Sequence, residues 1–249
     1  MSFERIKKFI LDTLFPISCV ICKKENAWFC QNCFEKIEIV SEQVCPYCEK
    51  ISSTKGAICP KCKLYFSKKN KEIFLDNLLV SAKYKRGRLS KVIHVYKYNF
   101  ISDLSIPLGK IILKALVKNN IPIPDLIIPI PLHPRRLRWR GFNQAELLAD
   151  FISLNLTIGL EIPIEKNVLQ RKKYTPPQMK IKSYKERVSN MQGAFCLKKE
   201  VIKKIKNQNI LLIDDVSTTG STLLECAKIL KFFGAKKVFG AVIARQEIS

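Results

Sequence analysis

No apolar run in this chain approaches the roughly 18 to 20 residues that a spanning helix needs, which excludes a transmembrane protein. The opening segment, MSFERIKKFILDTLFP, mixes charge into its apolar residues and so lacks the h-region of a secretory signal. The expected compartment is therefore cytoplasmic, where cysteines stay reduced and serve metals or chemistry rather than disulfides. No Gly-x-x-x-x-Gly-Lys occurs, nor any Gly-x-Gly-x-x-Gly, so a Walker loop and a dinucleotide fingerprint are both absent. There is no internal repeat and no low-complexity stretch. Only two histidines are present, and no pair of residues reads as a nucleophile with its base. Acid is scarce too: 21 Asp and Glu stand against 44 Lys and Arg, a formal charge of +23.

What is present suits a folded chain. Apolar residues make up 47% of the 249 residues, enough for one core of ordinary size plus a small module. The basic excess says nothing about fold. It favours polyanionic partners: nucleic acid, phosphorylated ligands or an anionic surface. The excess is uneven. Residues 1–72 hold 13 basic and 8 acidic residues, whereas residues 73–249 hold 31 and 13.

Eight of the ten cysteines form four Cys-x-x-Cys pairs: Cys19/Cys22, Cys30/Cys33, Cys45/Cys48 and Cys59/Cys62. Two residues between thiolates let both sulfurs of a tight knuckle face one ion, and two knuckles complete a tetrahedral shell. Four soft thiolates in a closed site suit zinc. Two structural Zn2+ ions are therefore expected, and spacing leaves sequential and interleaved pairings both open. With zinc bound the amino-terminal module is near neutral, so the basic character belongs to the rest of the chain. Cys45-Pro-Tyr-Cys48 also matches a glutaredoxin-type redox motif, but that chemistry needs a preceding strand pattern that is missing here. Cys196 and Cys226 stand alone and read as core residues.

The apolar spacing of residues 3–15 predicts a helix that Pro16 ends. Packing on its own protein is the favoured reading of that helix, with a membrane surface the competing one. The polar run 67–72 reads as a domain boundary. Beyond it, strands are expected at 78–83, 125–130, 210–213 and 238–244. Helices are expected at 89–98, 106–118, 143–154 and 220–233, the last closed by Gly234. Strands separated by helices argue for an α/β domain with a parallel sheet and covering helices.

The segment 209–222 carries the sharpest chemical signal. It reads as strand, acidic pair, hydroxyl-rich turn and helix. A helix start offers unpaired amides and a partial positive charge, which attract an anion. Ser217, Thr218, Thr219, Ser221 and Thr222 surround that turn with hydroxyls, and Gly220 lets the backbone approach a phosphate closely. Asp214 and Asp215 fall at the carboxyl end of the strand, where open α/β sheets bind ligands. Carboxylates there accept hydrogen bonds from vicinal sugar hydroxyls, directly or with magnesium nearby. The ensemble fits a sugar phosphate better than a chance helix cap.

At Ile-Asp-Asp-Val-Ser-Thr-Thr-Gly-Ser-Thr the sequence resembles the phosphoribosyl-pyrophosphate signature of type I phosphoribosyltransferases. Two further segments resemble the ComF family of competence proteins. One is Ile130-Pro-Leu-His-Pro-Arg-Arg-Leu-Arg-Trp-Arg-Gly-Phe-Asn-Gln144. The other is Arg171-Lys-Lys-Tyr-Thr-Pro-Pro-Gln178, followed by Arg187 and Asn190. The cysteine-rich start fits that family as well. The resemblance implies a double zinc ribbon at 1–72 and a type I phosphoribosyltransferase-like domain at 73–249. It implies that Asp214 and Asp215 hold ribose hydroxyls and that residues 218–222 hold a 5′-phosphate, with magnesium accompanying phosphoribosyl pyrophosphate. Residues 132–140 take the place of the pyrophosphate-side loop, and residues 171–187 that of the mobile loop covering the site. The family's proposed work is handling incoming single-stranded DNA in natural transformation alongside a helicase.

Basic loops support that expectation from the residues themselves. Arg135, Arg136, Arg138 and Arg140 surround Trp139 with no acid among them. Residues 166–187, which include Arg171, Lys172 and Lys173, add eight basic residues against one acid, with Tyr174 and Tyr184. Arginine forks suit phosphate oxygens, and aromatic rings stack on unpaired bases. His133 reads as a phosphate contact or a shaper of the arginine loop, and His94 as a packing residue. Two functions follow. One is a strand-handling protein with a ribose-phosphate site. The other is an enzyme that transfers a phosphoribosyl group to a base or amine, for which no acceptor-recognising hood is evident.

Overall fold

The computed structural model describes residues 17–84, 87–174, 191 and 193–246. The helix expected at 3–15, and most of the mobile loop, including Tyr184, Arg187 and Asn190, lie outside them.

Four parallel strands form the central sheet, in the order β3, β8, β7, β4. They are β3 (Asn77–Lys83), β4 (Leu126–Pro129), β7 (Asn209–Ser217) and β8 (Lys237–Arg245). Each has an apolar centre, with polar residues toward the ends of the longer three, because both faces of the sheet are covered and leave no polar side. The alternation survives in the packing. Leu79, Ile127, Leu211, Ile213, Ala241 and Ile243 join one core cluster, while Leu78, Ile128, Leu212 and Val242 join the other. The first cluster packs under α3 (Arg88–Tyr98), α4 (Ser105–Lys118) and α6 (Gln144–Asn155). The second packs under α8 (Ser221–Phe232) and an antiparallel hairpin of β5 (Leu169–Arg171) with β6 (Phe195–Leu197). A four-residue helix α7 (Ile202–Ile205) precedes β7.

The amino-terminal module holds α1 (Gln31–Glu35), the short pair β1 (Gln43–Val44) and β2 (Ile51–Ser52), and α2 (Pro60–Lys68). It is docked along the exposed edge of β3. Gln43 imitates a strand residue there, donating to the Val80 carbonyl and accepting from the Val80 amide, both at 2.9 Å. Val40 donates to Ser81 and Leu78 to Gly56, and Tyr47 Oη accepts from the amides of Phe74 and Leu75. An open edge would expose unpaired N–H and C=O groups, and the module satisfies them. Cys19, Phe29, Cys30, Cys33 and Phe34 join the first core cluster. Residues 67 and 68 of the polar run are the end of α2.

The structure departs from the sequence expectations at four places. The arginine segment is a helix, α5 (Pro134–Arg140), rather than a loop: Pro134 opens it and Gly141, at φ +75°, closes it. The β5–β6 hairpin was not foreseen, because three-residue strands carry too little pattern to register. His94 is exposed rather than packed inside, although its ring lies 4.7 Å from that of Tyr98. Cys226 is fully buried as expected, but Cys196 is only half-buried.

Candidate functional site

The two cysteine tetrads close sequentially. Cys19, Cys22, Cys30 and Cys33 gather in one group and Cys45, Cys48, Cys59 and Cys62 in another, each with all sulfurs within 4.8 Å of one another. The donor set fits zinc: four thiolates at tetrahedral spacing, with knuckle amides aimed at them. The amides of Cys59 and Cys62 donate to the sulfurs of Cys45 and Cys59, each at 3.4 Å. Burial opposes ionisation of Cys19, yet the amides of Cys22, Cys30 and Ile21 hold its thiol down to about 6.

The carboxyl ends of the sheet strands open onto a cleft of about 940 Å³, counting its solvent-filled mouth. That is the side on which open α/β sheets bind ligands. Asp214 and Asp215, toward the carboxyl end of β7, line one wall. Thr218 and Thr222 continue it, and Arg136, Arg140 and Arg171 stand among the other lining residues. A smaller adjoining hollow is bounded by Asp214, Ser217, Thr218, Gly220, Ser221 and Thr222 at the start of α8. Gly220 has φ +73°, a conformation that costs an ordinary residue and not glycine, so the turn can bring its amides round to that hollow. Thr219 does not face either space. Its hydroxyl pairs with Ser221 Oγ at 2.9 Å and accepts from the Ser221 amide, which braces the turn from inside.

Helical geometry sorts the arginines. Arg136 and Arg140 are four residues apart and share the inner face of α5, whereas Arg135, Arg138 and Trp139 are exposed. Arg140 is nearly buried. It donates to Gln144 Oε1 at 2.9 Å and lies over the ring of Tyr98 at 5.5 Å. Arg171 reaches the cleft from β5, while Lys172 and Lys173 remain exposed beside it. Burial and the neighbouring Arg136 both press against the charge of Arg171, and burial and Arg140 press against that of Arg136. Three guanidiniums thus converge in one space, at an electrostatic cost that a bound anion offsets. His133 caps α5, its Nδ1 accepting from the Arg135 amide at 3.2 Å. Burial and the surrounding arginines lower its pKa, which keeps that nitrogen free to accept.

One partner has no signal in the sequence. Lys97, on α3, meets Asp215 at 2.8 Å, and both side chains are largely buried. A hundred-odd residues separate them, so only the fold reveals the pair. Burial and the adjacent Asp215 raise Asp214 to about 7, against the opposing pull of Lys97 and Arg171. The cleft therefore brings two carboxylates and a cluster of cations into one space. Tyr98, His94, Asn143 and Gln144 also line it, and none was foreseen.

Comparison with known proteins agrees with this architecture. Residues 143–249 match the phosphoribosyl transferase domain, and residues 10–63 match the double zinc ribbon domain. The fold and its cysteine module thus define a phosphoribosyltransferase-like protein with paired zinc ribbons. DNA utilization protein YhgH of Salmonella typhi is 31% identical over 164 residues, which cover 64% of this chain and 68% of the relative. Competence protein ComFC of Bacillus subtilis is 27% identical over 83% of this chain and 79% of its own length. Competence protein F of Haemophilus influenzae is 39% identical over 121 residues, and the chain spans half the length of that relative. The chain belongs to the ComF family of competence proteins. A solved purine phosphoribosyltransferase from Pyrococcus horikoshii is similar over 56% of the chain, at a TM-score of 0.34 and 16% identity.

Proposed function

We propose that this protein handles single-stranded DNA in natural transformation and that its cleft holds a ribose phosphate, either phosphoribosyl pyrophosphate or a strand terminus. One observation carries the reading: two carboxylates and three arginines face one cleft at the carboxyl ends of parallel strands, and a hydroxyl-lined helix start bounds a hollow that adjoins it. Asp214 and Asp215 accept from the vicinal ribose hydroxyls. The turn from Ser217 to Thr222 takes the 5′-phosphate through amides and hydroxyls, with Thr219 as its internal brace. Arg136, Arg140 and Arg171 take the second phosphate group, as forked donors do. Magnesium fits beside the acids, since two carboxylates make part of an oxygen shell that substrate phosphates complete. Arg135, Arg138, Lys172 and Lys173 extend the basic surface outward for the strand. Residues 1–72 act as a zinc-held module and residues 73–249 as the ligand-binding domain, working in the cytoplasm with a competence helicase as partner. No helix among the described residues is long and apolar enough to cross a membrane.

Titration calorimetry with phosphoribosyl pyrophosphate and magnesium tests the site. Binding by the parent and its loss in the double variant Asp214→Asn/Asp215→Asn is the expected result; equal binding by both overturns it. The alternative is an active transferase, supported by the carboxylates for a ribose and the arginines for a diphosphate in one cleft. Pyrophosphate release with purines, pyrimidines or ammonia as acceptor would establish that activity. Silence across the panel leaves the binding role alone.

A further inference from the structure

A tier of aromatic rings climbs from the cleft to the surface. His94 and Tyr98 line the cleft, with ring centroids 4.7 Å apart. Tyr98 lies 6.0 Å from Trp139, and Trp139 lies 5.7 Å from Phe100. The two outer rings are exposed, Trp139 at 56% and Phe100 at 47%. They come from different elements, α5 and the turn just after α3, so their meeting is a product of the fold.

Phe100 is unusual in its backbone. It follows the cap of α3 at φ +60°, the left-handed position that glycine or asparagine normally takes. Packing does not demand the ring, because nearly half of it faces water. A strained residue that displays an exposed aromatic group is the pattern expected where function outweighs local stability.

The surroundings decide what such a surface meets. Segments 88–101 and 131–145 contain no acidic residue. Arg135 and Arg138 stand exposed on α5 beside Trp139, and the Arg140 guanidinium lies over Tyr98. An apolar patch of this size with a neutral rim would suit another protein. With a rim dominated by Arg135, Arg138 and Arg140, and Asp103 as the nearest acid in sequence, it suits a polyanion that also carries flat apolar rings, namely unpaired nucleobases.

We propose that His94, Tyr98, Trp139 and Phe100 form a base-stacking ledge, continuous with the cleft, for the first few nucleotides of a single strand. The proposal rests on the strand-handling reading above and deepens it. The strand's phosphates run along Arg135 and Arg138 while its bases stack on Trp139 and Phe100, and its end points into the cleft. Stacking reads no sequence, since every base has a π-face, so the ledge recognises unpaired bases as a class.

The test compares two 5′-phosphorylated oligonucleotides by fluorescence anisotropy. One is a thymidine strand of about 12 nucleotides, within the site sizes such grooves cover. The other has the same length of abasic sugar phosphate. The parent is expected to prefer the base-bearing strand roughly tenfold, and Trp139→Ala and Phe100→Asn each to shrink that preference without changing abasic affinity. Phe100→Asn is also expected to raise the melting temperature, because asparagine accepts the left-handed conformation. If the parent prefers the base-bearing strand and Trp139→Ala/Phe100→Asn keeps the full preference, the ledge is refuted while strand binding stands. If the parent binds neither strand, the strand reading itself falls and takes the ledge with it. If the parent is a dimer that the double variant dissolves, the rings serve self-association and the proposal is wrong.

Discussion

Arg245 ties the zinc module to the phosphate turn through Glu49. Its Nη2 lies 2.6 Å from the Glu49 carboxylate, next in sequence to the metal-site residue Cys48, while its Nε donates to the Thr218 carbonyl at 2.9 Å. One guanidinium thus spans the second tetrad and the hollow at the start of α8. The forked donor geometry allows both contacts at once, and a lysine could not make them.

Breaking that bridge should be felt in both places. Arg245→Met is expected to lower stability by about 2 kcal/mol, since it strands a partly buried carboxylate and removes a charged donor. Ribose-phosphate affinity should fall at the same time, because the Thr218 carbonyl loses its anchor. Glu49→Gln is the milder probe and should weaken ligand binding with little change in melting temperature. Unchanged affinity in both variants would show that the bridge is structural only.

Zinc removal should expose the sheet. The module's hydrogen bonds to β3 depend on loops that the two tetrads hold, and a small module of this kind folds through its metal. Elemental analysis is expected to find two zinc ions per chain, falling to one in Cys45→Ser/Cys48→Ser. A chelator should leave a chain that aggregates faster, because the freed edge of β3 offers unpaired backbone groups. Gln43→Leu is expected to cost about 2 kcal/mol even with zinc bound, since it orphans the Val80 amide and carbonyl together.

The sheet was legible because each strand has a short apolar run at its centre, such as residues 210–213 in β7, and each covering helix has its own stripe. The tetrads were legible because Cys-x-x-Cys spacing is a local geometric demand, and their pairing was not, because it depends on how the loops fold. The acid pair and hydroxyl turn fall within one contiguous segment, so their convergence needed no tertiary knowledge. The arginines were half legible. Their clustering was plain, but reading residues 135–140 as loop hid the four-residue period that sends Arg136 and Arg140 inward. Lys97 and Phe100 carried no signal: a lone lysine on a helix reads as surface, and backbone strain leaves no mark in composition.

That inward pair gives a sharp comparison. Arg136→Ala/Arg140→Ala should reduce binding of phosphoribosyl pyrophosphate at least about tenfold, because charged hydrogen bonds in a confined cleft are worth about 1.5 to 3 kcal/mol each. Arg135→Ala/Arg138→Ala removes the same formal charge from the outer face. It should leave that ligand nearly untouched and flatten the salt dependence of strand binding instead, by about one phosphate contact per arginine. Calorimetry for the small ligand and anisotropy across a salt series for the strand separate the two pairs. Equal effects of both pairs on the small ligand would mean that α5 acts through net charge rather than through its inner face.

Asp214 sets the pH response. Its folded value of about 7 lies above the ordinary carboxylate range because of burial and the neighbouring Asp215. Between about pH 4 and 7 the folded chain therefore holds a proton that the unfolded chain has lost. The stabilisation from this group is complete below about pH 4 and is lost as pH rises through about 7. Asn imitates the protonated acid, so Asp214→Asn is expected to melt higher than the parent near pH 8, by a smaller margin near pH 5, and about equally only below about pH 4. Ligand binding should run the opposite way. Ribose hydroxyls need an ionised acceptor, so parent affinity should climb from about pH 6 to pH 8, and binding near pH 6.5 should release a proton to the buffer. Lys97, Arg171, Arg136 and Arg140 face the same cleft and favour the ionised form, while Asp215 opposes it. Lys97→Met should accordingly shift the affinity profile toward higher pH. A profile flat across that range, with Asp214→Asn melting lower than the parent near pH 8, would mean that Asp214 is ionised throughout and that the cations of the cleft outweigh its burial.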